Sequence, residues 1–252
     1  TFYSAEAIAA TPENTNKVKG FRQWVEAGAK TDAFGALKHL IGTITHTPGY
    51  IIFLSDGFPT QGITDSRQLI NEISRVNAGK TGIFAYSGGS ANRYLLDFIA
   101  YKNRGWSEYS EREHFIGKNL AALYYKIRDP ILLNLRYRVS GIADENVFPK
   151  MLPDFFRNAE FTLYGLYADE EDLVLQLLGD SEGETREFLA QVPMSNAVPG
   201  EKDIARLWAF NKIYYLISLL EYEKDNTSVL EEISSLSKKF SIKTPYSNEL
   251  KK

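Results

Sequence analysis

The chain has 252 residues, of which 44% are hydrophobic and 24% charged, with a formal net charge of −3. This composition is typical of a folded chain with one large or two smaller domains, and it excludes a disordered or collagen-like protein. Because acidic and basic residues are interspersed and nearly balanced, no nucleic-acid or anionic-lipid partner is predicted. The absence of cysteine excludes disulfides, cysteine-based metal sites and thiol catalysis. No apolar run approaches the roughly 18–20 residues of a membrane-spanning helix.

The first predicted element is a helix. Thr11 and Pro12 are typical of a helix start, because a capping hydroxyl precedes a proline at the first helical position. The apolar residues of this helix recur at three- and four-residue spacing, at Val18, Phe21, Trp24 and Val25.

A second helix is predicted to begin at Thr31-Asp32 and is followed by a strand. The run Tyr50-Ile51-Ile52-Phe53-Leu54 is continuously apolar and lies between Pro48-Gly49 and Asp56-Gly57. Such a run is typical of a strand that is buried on both faces, so we expect a central parallel strand here.

Helices and strands then alternate. A helix over residues 65–77, a second buried run over 82–86 and another helix ending near Gly105 predict an open α/β sheet with right-handed crossovers. Ligands of such sheets bind beyond the carboxyl ends of the strands. The residues expected at that edge are Ser55, Asp56, Gly57, Ser87, Gly88, Gly89 and Ser90.

After residue 130 the pattern becomes β-rich. Apolar and polar residues alternate over 133–139, and further strands are predicted over 161–167, 173–178 and 185–189. A long helix over 203–221 and another around Val229 to Leu236 close the chain. The predicted fold class is therefore α/β: an incomplete doubly wound, Rossmann-like domain over 1–129, a β-sandwich-like region over 130–200, and a C-terminal helical region over 201–252 that packs on it.

Asp56 and Thr31 are the residues that point most clearly to chemistry. A carboxylate at the end of a buried strand is costly unless it is paired, hydrogen-bonded or bound to a metal. The alternative is that Asp56 only caps the following turn. Thr31 has a similar alternative as the N-terminal cap of its helix.

Two segments together resemble the von Willebrand factor type A domain. Residues 27–37 resemble the segment that carries the threonine of its metal-ion-dependent adhesion site, and residues 51–57 resemble the strand that carries its aspartate. The resemblance implies that Thr31 and Asp56 lie around a Mg²⁺ or Ca²⁺ ion. Their oxygen atoms are the ligands that such hard cations prefer.

The resemblance continues beyond this domain. Residues 129–132, 147–156, 164–165, 205–209, 235–240 and 243–246 are similar, in order, to inter-alpha-trypsin inhibitor heavy chains and their bacterial relatives. The resemblance implies a non-enzymatic adhesion or protein-binding module, with a protein ligand or another subunit as partner. It also implies a secreted or cell-surface protein, although the residues leave an intracellular location open.

One motif of that family is missing. The family's site begins with Asp-x-Ser-x-Ser on a first strand in the middle of the sheet, and no such motif precedes Thr31. Together with a start at Thr1 rather than Met, this leads us to expect that an upstream segment or another chain supplies the strand. Lys30 stands next to Thr31, in a stretch where the family has glycines, and it would repel a cation if it pointed inward.

Two alternative functions follow from these departures. The chain could be a structural or assembly scaffold whose metal site is degenerate. A metal-dependent hydrolase that uses Asp56 is a more remote alternative, because general acid–base catalysis needs a partner within reach and none stands at interpretable spacing. No catalytic residue is predicted.

Overall fold

A computed structural model of the chain describes residues 3–26, 28, 30–167, 172–200, 203–221 and 224–246. The helices are α1 (Pro12–Arg22), α2 (Ala33–Thr43), α3 (Ser66–Asn77), α4 (Arg93–Lys102), α5 (Ile116–Ile127), α6 (Ile204–Ser218) and α7 (Thr227–Phe240). The strands are β1 (Gly49–Leu54), β2 (Thr81–Gly88), β3 (Ser107–Ser110), β4 (Pro130–Val139), β5 (Val147–Phe148), β6 (Phe155–Phe156), β7 (Tyr164–Gly165), β8 (Leu173–Ser181) and β9 (Glu184–Val192).

A parallel sheet forms the first part of the chain, with strand order β1-β2-β3. On one face, Ile83 of β2 belongs to the same core as buried residues of α2, α3 and α4. On the other face, Phe84 and Tyr86 pack with Leu123 and Ile127 of α5. Helices thus cover both faces of the sheet, and the prediction of a doubly wound α/β fold is confirmed.

The position of β1 differs from the prediction. Among the described residues β1 lies at the edge of the sheet, and β2 is the central strand. Ile52 and Leu54 are 36% and 56% exposed, so β1 is not buried on both faces. The side chains of β1 that are buried, such as Ile51, point to the face that carries α2, α3 and α4.

The N-terminal helix is shorter and less packed than its pattern predicts. Helix α1 ends at Arg22, contains no buried residue, and leaves Trp24 beyond it 84% exposed. The three- and four-residue spacing is present, but among these apolar residues only Phe21 is partly covered, by the ring of Tyr3 at a centroid distance of 5.2 Å.

Three polar side chains begin the helices that surround the carboxyl edge of the sheet. Asp32, Asp65 and Asn92 each accept a hydrogen bond from the backbone N–H three residues later, at the starts of α2, α3 and α4. Each side chain satisfies a backbone donor that the helix itself leaves unpaired. The loops between strands and helices are therefore held at defined points.

A four-stranded antiparallel sheet follows, with order β6-β4-β8-β9, and β5 pairs with β7. Leu132, Leu135 and Leu152 form a small core beside this sheet. Of the strand expected over 161–167, only Tyr164–Gly165 pairs. Alternation along β4 is interrupted at Asn134, whose φ of 51° accompanies a shift in register.

The C-terminal helices contact both preceding parts. Trp208 of α6 lies 6.0 Å from Phe148 of β5, and Tyr214 stacks on Phe98 of α4 with ring centroids 4.4 Å apart. The C-terminal helices were expected to pack on the β region. The structure shows that α6 also contacts α4, one of the helices that cover the parallel sheet. Within the described part of the chain, no helix is long and apolar enough to cross a membrane.

Candidate functional site

Thr31 is joined to the loop that follows β1. Its backbone N–H donates to the hydroxyl of Thr60 at 2.8 Å. Its carbonyl accepts from the N–H groups of Thr60 and Gln61, at 3.0 and 3.1 Å. These three bonds bring the start of α2 to the loop that begins with Asp56, although 29 residues separate Thr31 from Thr60.

Asp56 lies in the loop just after β1 and is exposed. Its Oδ1 accepts a hydrogen bond from the N–H of Phe58 at 3.0 Å, which closes an Asx turn. Its backbone carbonyl accepts from the N–H of Asn92 at 2.8 Å, just before α4. The alternative that Asp56 only caps a turn therefore accounts for Oδ1, whereas Oδ2 accepts no hydrogen bond from the described residues.

Ser55 and Gly57 shape the same turn. The hydroxyl of Ser55 accepts from the N–H of Gly57 at 3.0 Å. Gly57 has a φ of +76°, and a Cβ at this position would lie 2.9 Å from the carbonyl oxygen of Asn92. A glycine is required here because the backbone is left-handed and the α4 segment approaches it closely.

The second loop of the predicted edge follows β2. Ser87 is buried, whereas Gly89 and Ser90 are exposed. The N–H of Gly89 donates to the carbonyl of Ser110 at 3.2 Å, and its φ is +71°. Residues 89–92 form the connection from β2 to α4.

The structure also identifies residues that sequence reasoning did not assign to the site. The hydroxyl of Thr60 holds the backbone of Thr31. A Cβ on Gly62 would lie 2.5 Å from Oδ1 of Asp32, so the carboxylate of Asp32 packs against the same loop. The only sequence signal was the position of Asp32 at a helix start. Lys30 is exposed, and Ala27 and Ala29 of the resembling segment lie outside the described residues.

Both candidate ligands offer oxygen atoms, which hard divalent cations prefer. Thr31 offers a hydroxyl oxygen and Asp56 a carboxylate oxygen, and Mg²⁺ is commonly held by one or two carboxylates plus water. No group of three His, Cys, Asp or Glu in the described ranges is placed to hold a metal. A cation at Thr31 and Asp56 would therefore need water or donors from elsewhere to complete its coordination.

Sequence comparison finds similar proteins that match most of the chain. The chain is 24% identical to inter-alpha-trypsin inhibitor heavy chain H6 of Homo sapiens over 95% of its own length, and 24% identical to heavy chain H4 of Bos taurus over 94%. It spans 20% and 28% of the length of these two relatives. No family model matches the chain.

A solved structure is similar over nearly the whole chain. A von Willebrand factor type A protein from Catenulispora acidiphila matches 94% of this chain and 67% of its own, with a TM-score of 0.56 and 10% identity. At that identity the likeness concerns the fold alone. The chain thus has a von Willebrand factor type A-like fold and resembles inter-alpha-trypsin inhibitor heavy chains over most of its length.

Proposed function

We propose that the chain belongs to a non-enzymatic protein-binding or adhesion module that contacts its ligand at the carboxyl edge of the parallel sheet. In this proposal a Mg²⁺ or Ca²⁺ ion lies between Thr31 and Asp56 and leaves a position for a carboxylate of the ligand. The proposal also places the protein outside the cell or at its surface, as the resemblance to the heavy chains suggests.

The observation that carries this proposal is the attachment of Thr31 to the loop after β1. Three hydrogen bonds join the Thr31 backbone to Thr60 and Gln61. These two residues belong to the loop after β1 that also contains Asp56. These bonds support a site at this edge to which two oxygen donors from distant parts of the sequence would contribute. In open α/β sheets this edge is where ligands bind.

The exposed edge of β1 supports a second part of the proposal. The N–H of Ser55 donates towards β2, to the carbonyl of Tyr86. Because alternate residues of a strand face opposite neighbours, the backbone groups of Ile52 and Leu54 point away from β2. Both side chains are also partly exposed. We propose that a strand from an upstream segment, or from another subunit, pairs with this edge and completes the sheet.

Calorimetric titration with Mg²⁺ tests the cation site. The chain is expected to bind Mg²⁺, and the Asp56→Ala and Thr31→Ala variants are expected to lose that binding. Asp129→Ala is a matched control, because Asp129 is an exposed aspartate whose partner is the neighbouring Arg128. Circular dichroism of each variant shows whether the fold is kept.

Equal heats from the chain and from Asp56→Ala would contradict the cation site. That result would favour the second candidate function, a structural or assembly scaffold with a degenerate site. The specific observation in favour of the scaffold is that Oδ1 of Asp56 is already engaged by the N–H of Phe58. The scaffold keeps the same fold and partner surfaces without the ion.

A further inference from the structure

No strand among the described residues pairs with the outer edge of β9 in the antiparallel sheet. β9 pairs with β8 on one side, and it is the last strand in the order β6-β4-β8-β9. All nine of its residues are exposed. Phe188 and Leu189 are 50% and 66% exposed. A long exposed edge strand with apolar side chains is a template for pairing with another strand.

The backbone groups at this edge can be assigned residue by residue. The N–H of Ser140 donates to the carbonyl of Val174, so the even-numbered residues of β8 face β4. The odd-numbered residues of β8 therefore face β9, where they oppose residues 184, 186, 188, 190 and 192. This leaves the N–H and C=O groups of Thr185, Glu187, Leu189 and Gln191 pointing outward. Within the described part of the chain, no hydrogen bond is recorded to these outward groups.

The side chains of Phe188 and its neighbours form an apolar row across the sheet. Tyr137 of β4 opposes Leu177 of β8, and Leu177 opposes Phe188 of β9. Opposed residues of antiparallel strands lie on the same face. The row therefore stops at an exposed aromatic ring on the open edge.

We propose that β9 pairs with β9 of a second copy of this chain, antiparallel and centred on Phe188. The two sheets then form one continuous sheet of eight strands, twice the four of a single copy. Leu189 of one copy opposes Glu187 of the other, and Thr185 opposes Gln191, so every outward backbone group finds a partner. The apolar row continues from Phe188 to Phe188 of the second copy.

The charges of β9 distinguish this register from a neighbouring one. Arg186 faces Ala190 of the other copy, Glu184 faces Val192, and Glu187 faces Leu189, so no charge directly opposes a like charge. A register centred on Glu187 would place two glutamates opposite each other, which is destabilising. A two-fold axis through Phe188 also lets all nine residues of β9 pair.

Mass measurement in solution tests the association. Light scattering after gel filtration of the 252-residue chain is expected to give the mass of a dimer. Leu189→Lys is expected to shift this mass to that of a monomer, because a charge on an edge strand opposes pairing. Val198→Lys is the matched control: Val198 is 83% exposed and lies outside β9, so this variant is expected to remain dimeric.

Disulfide cross-linking tests the register, because the chain has no cysteine of its own. Phe188 and its copy form a non-hydrogen-bonded pair, whose Cα atoms are about 4.5 Å apart, within the range of a disulfide. Phe188→Cys is expected to give a covalent dimer under mild oxidation, reversed by a reductant. Val198→Cys, whose thiol is exposed but lies outside β9, is expected to form almost no covalent dimer under the same conditions.

A monomeric mass for the unaltered chain would overturn the proposal. So would a dimer that survives Leu189→Lys, since the interface would then lie elsewhere. Preferential cross-linking through Leu189→Cys rather than Phe188→Cys would overturn the register centred on Phe188. Circular dichroism of each variant shows whether the loss of the dimer reflects disrupted β9 pairing or an unfolded chain.

Discussion

The hydroxyl of Tyr50 donates a hydrogen bond of 2.8 Å to the carboxylate of Asp154, across 104 residues of sequence. The same carboxylate accepts from Arg104 at 3.2 Å and from the N–H of Asn134 at 2.8 Å. Its side chain is 1% exposed. Burial, followed by the neighbouring carboxylate, raises the pKa of Tyr50. This cluster joins the parallel sheet to the antiparallel sheet.

Asp154→Asn is expected to destabilise the protein by about 3–5 kcal/mol, because it leaves the guanidinium of Arg104 without its ion partner in a mostly buried position. Urea unfolding followed by circular dichroism measures this free energy. Asp129→Asn is the control, since it removes an exposed pair with Arg128 and is expected to cost at most about 1 kcal/mol. Similar losses in the two variants would contradict the structural role of the buried cluster.

Tyr137→Phe is expected to make stability less sensitive to alkaline pH. Burial raises the pKa of Tyr137 to about 12, and its hydroxyl donates to the carbonyl of Pro149 at 2.7 Å. Below the unfolded-state pKa near 10, Tyr137 is protonated in both states and its contribution to the stability of the fold is complete. As pH rises from there towards the folded-state pKa of about 12, the unfolded chain loses its proton first and this contribution is lost. The free-energy difference between the two proteins, measured by urea unfolding at several pH values, should therefore narrow above about pH 10. A constant difference across that window would refute the shift.

Gly57→Ala is expected to cost about 1–3 kcal/mol, because its φ is +76° and the new Cβ would meet the carbonyl of Asn92 at 2.9 Å. The comparison is Gly117→Ala in α5, where nothing lies within 4 Å of the added Cβ. This control is expected to be neutral or stabilising, because alanine favours a helix over glycine. Thermal unfolding of both variants gives the comparison, and an unchanged Gly57→Ala melting temperature would count against a strained turn.

Lys102→Met is expected to loosen the attachment of α6 to the parallel sheet's helices. The Nζ of Lys102 donates to the carbonyl of Ser218 at 2.9 Å and to Oδ1 of Asn71 at 3.1 Å, and burial lowers its pKa. Loss of these charge-assisted bonds is expected to cost about 1–3 kcal/mol in urea unfolding. Lys80→Met, on an exposed side chain, serves as the control and should leave stability nearly unchanged. Equal effects would show that Lys102 does not hold α6.

The kinds of secondary structure followed from the sequence because side-chain periodicity is a local property. The apolar runs at Ile51 to Leu54 and Ile83 to Tyr86 are strands, and the stripes between them are helices, as predicted. The local pattern was less reliable where tertiary packing decides how far a helix extends and which side chains are buried. The spacing of Trp24 continued a helical stripe, yet α1 ends at Arg22 and the side chain of Trp24 is exposed.

The candidate site was likewise predicted in part from the sequence and in part known only from the tertiary structure. The sequence by itself identified Asp56 and Thr31 as oxygen donors and placed them near the ends of elements, because residue type and position relative to an apolar run are local. Only the tertiary structure showed that Thr60 holds Thr31, that β1 lies at the edge of the described sheet, and that Asp154 binds Tyr50. These relationships join residues that are distant in sequence. They depend on the path of the whole chain and on which polar groups become buried together, which no local pattern records.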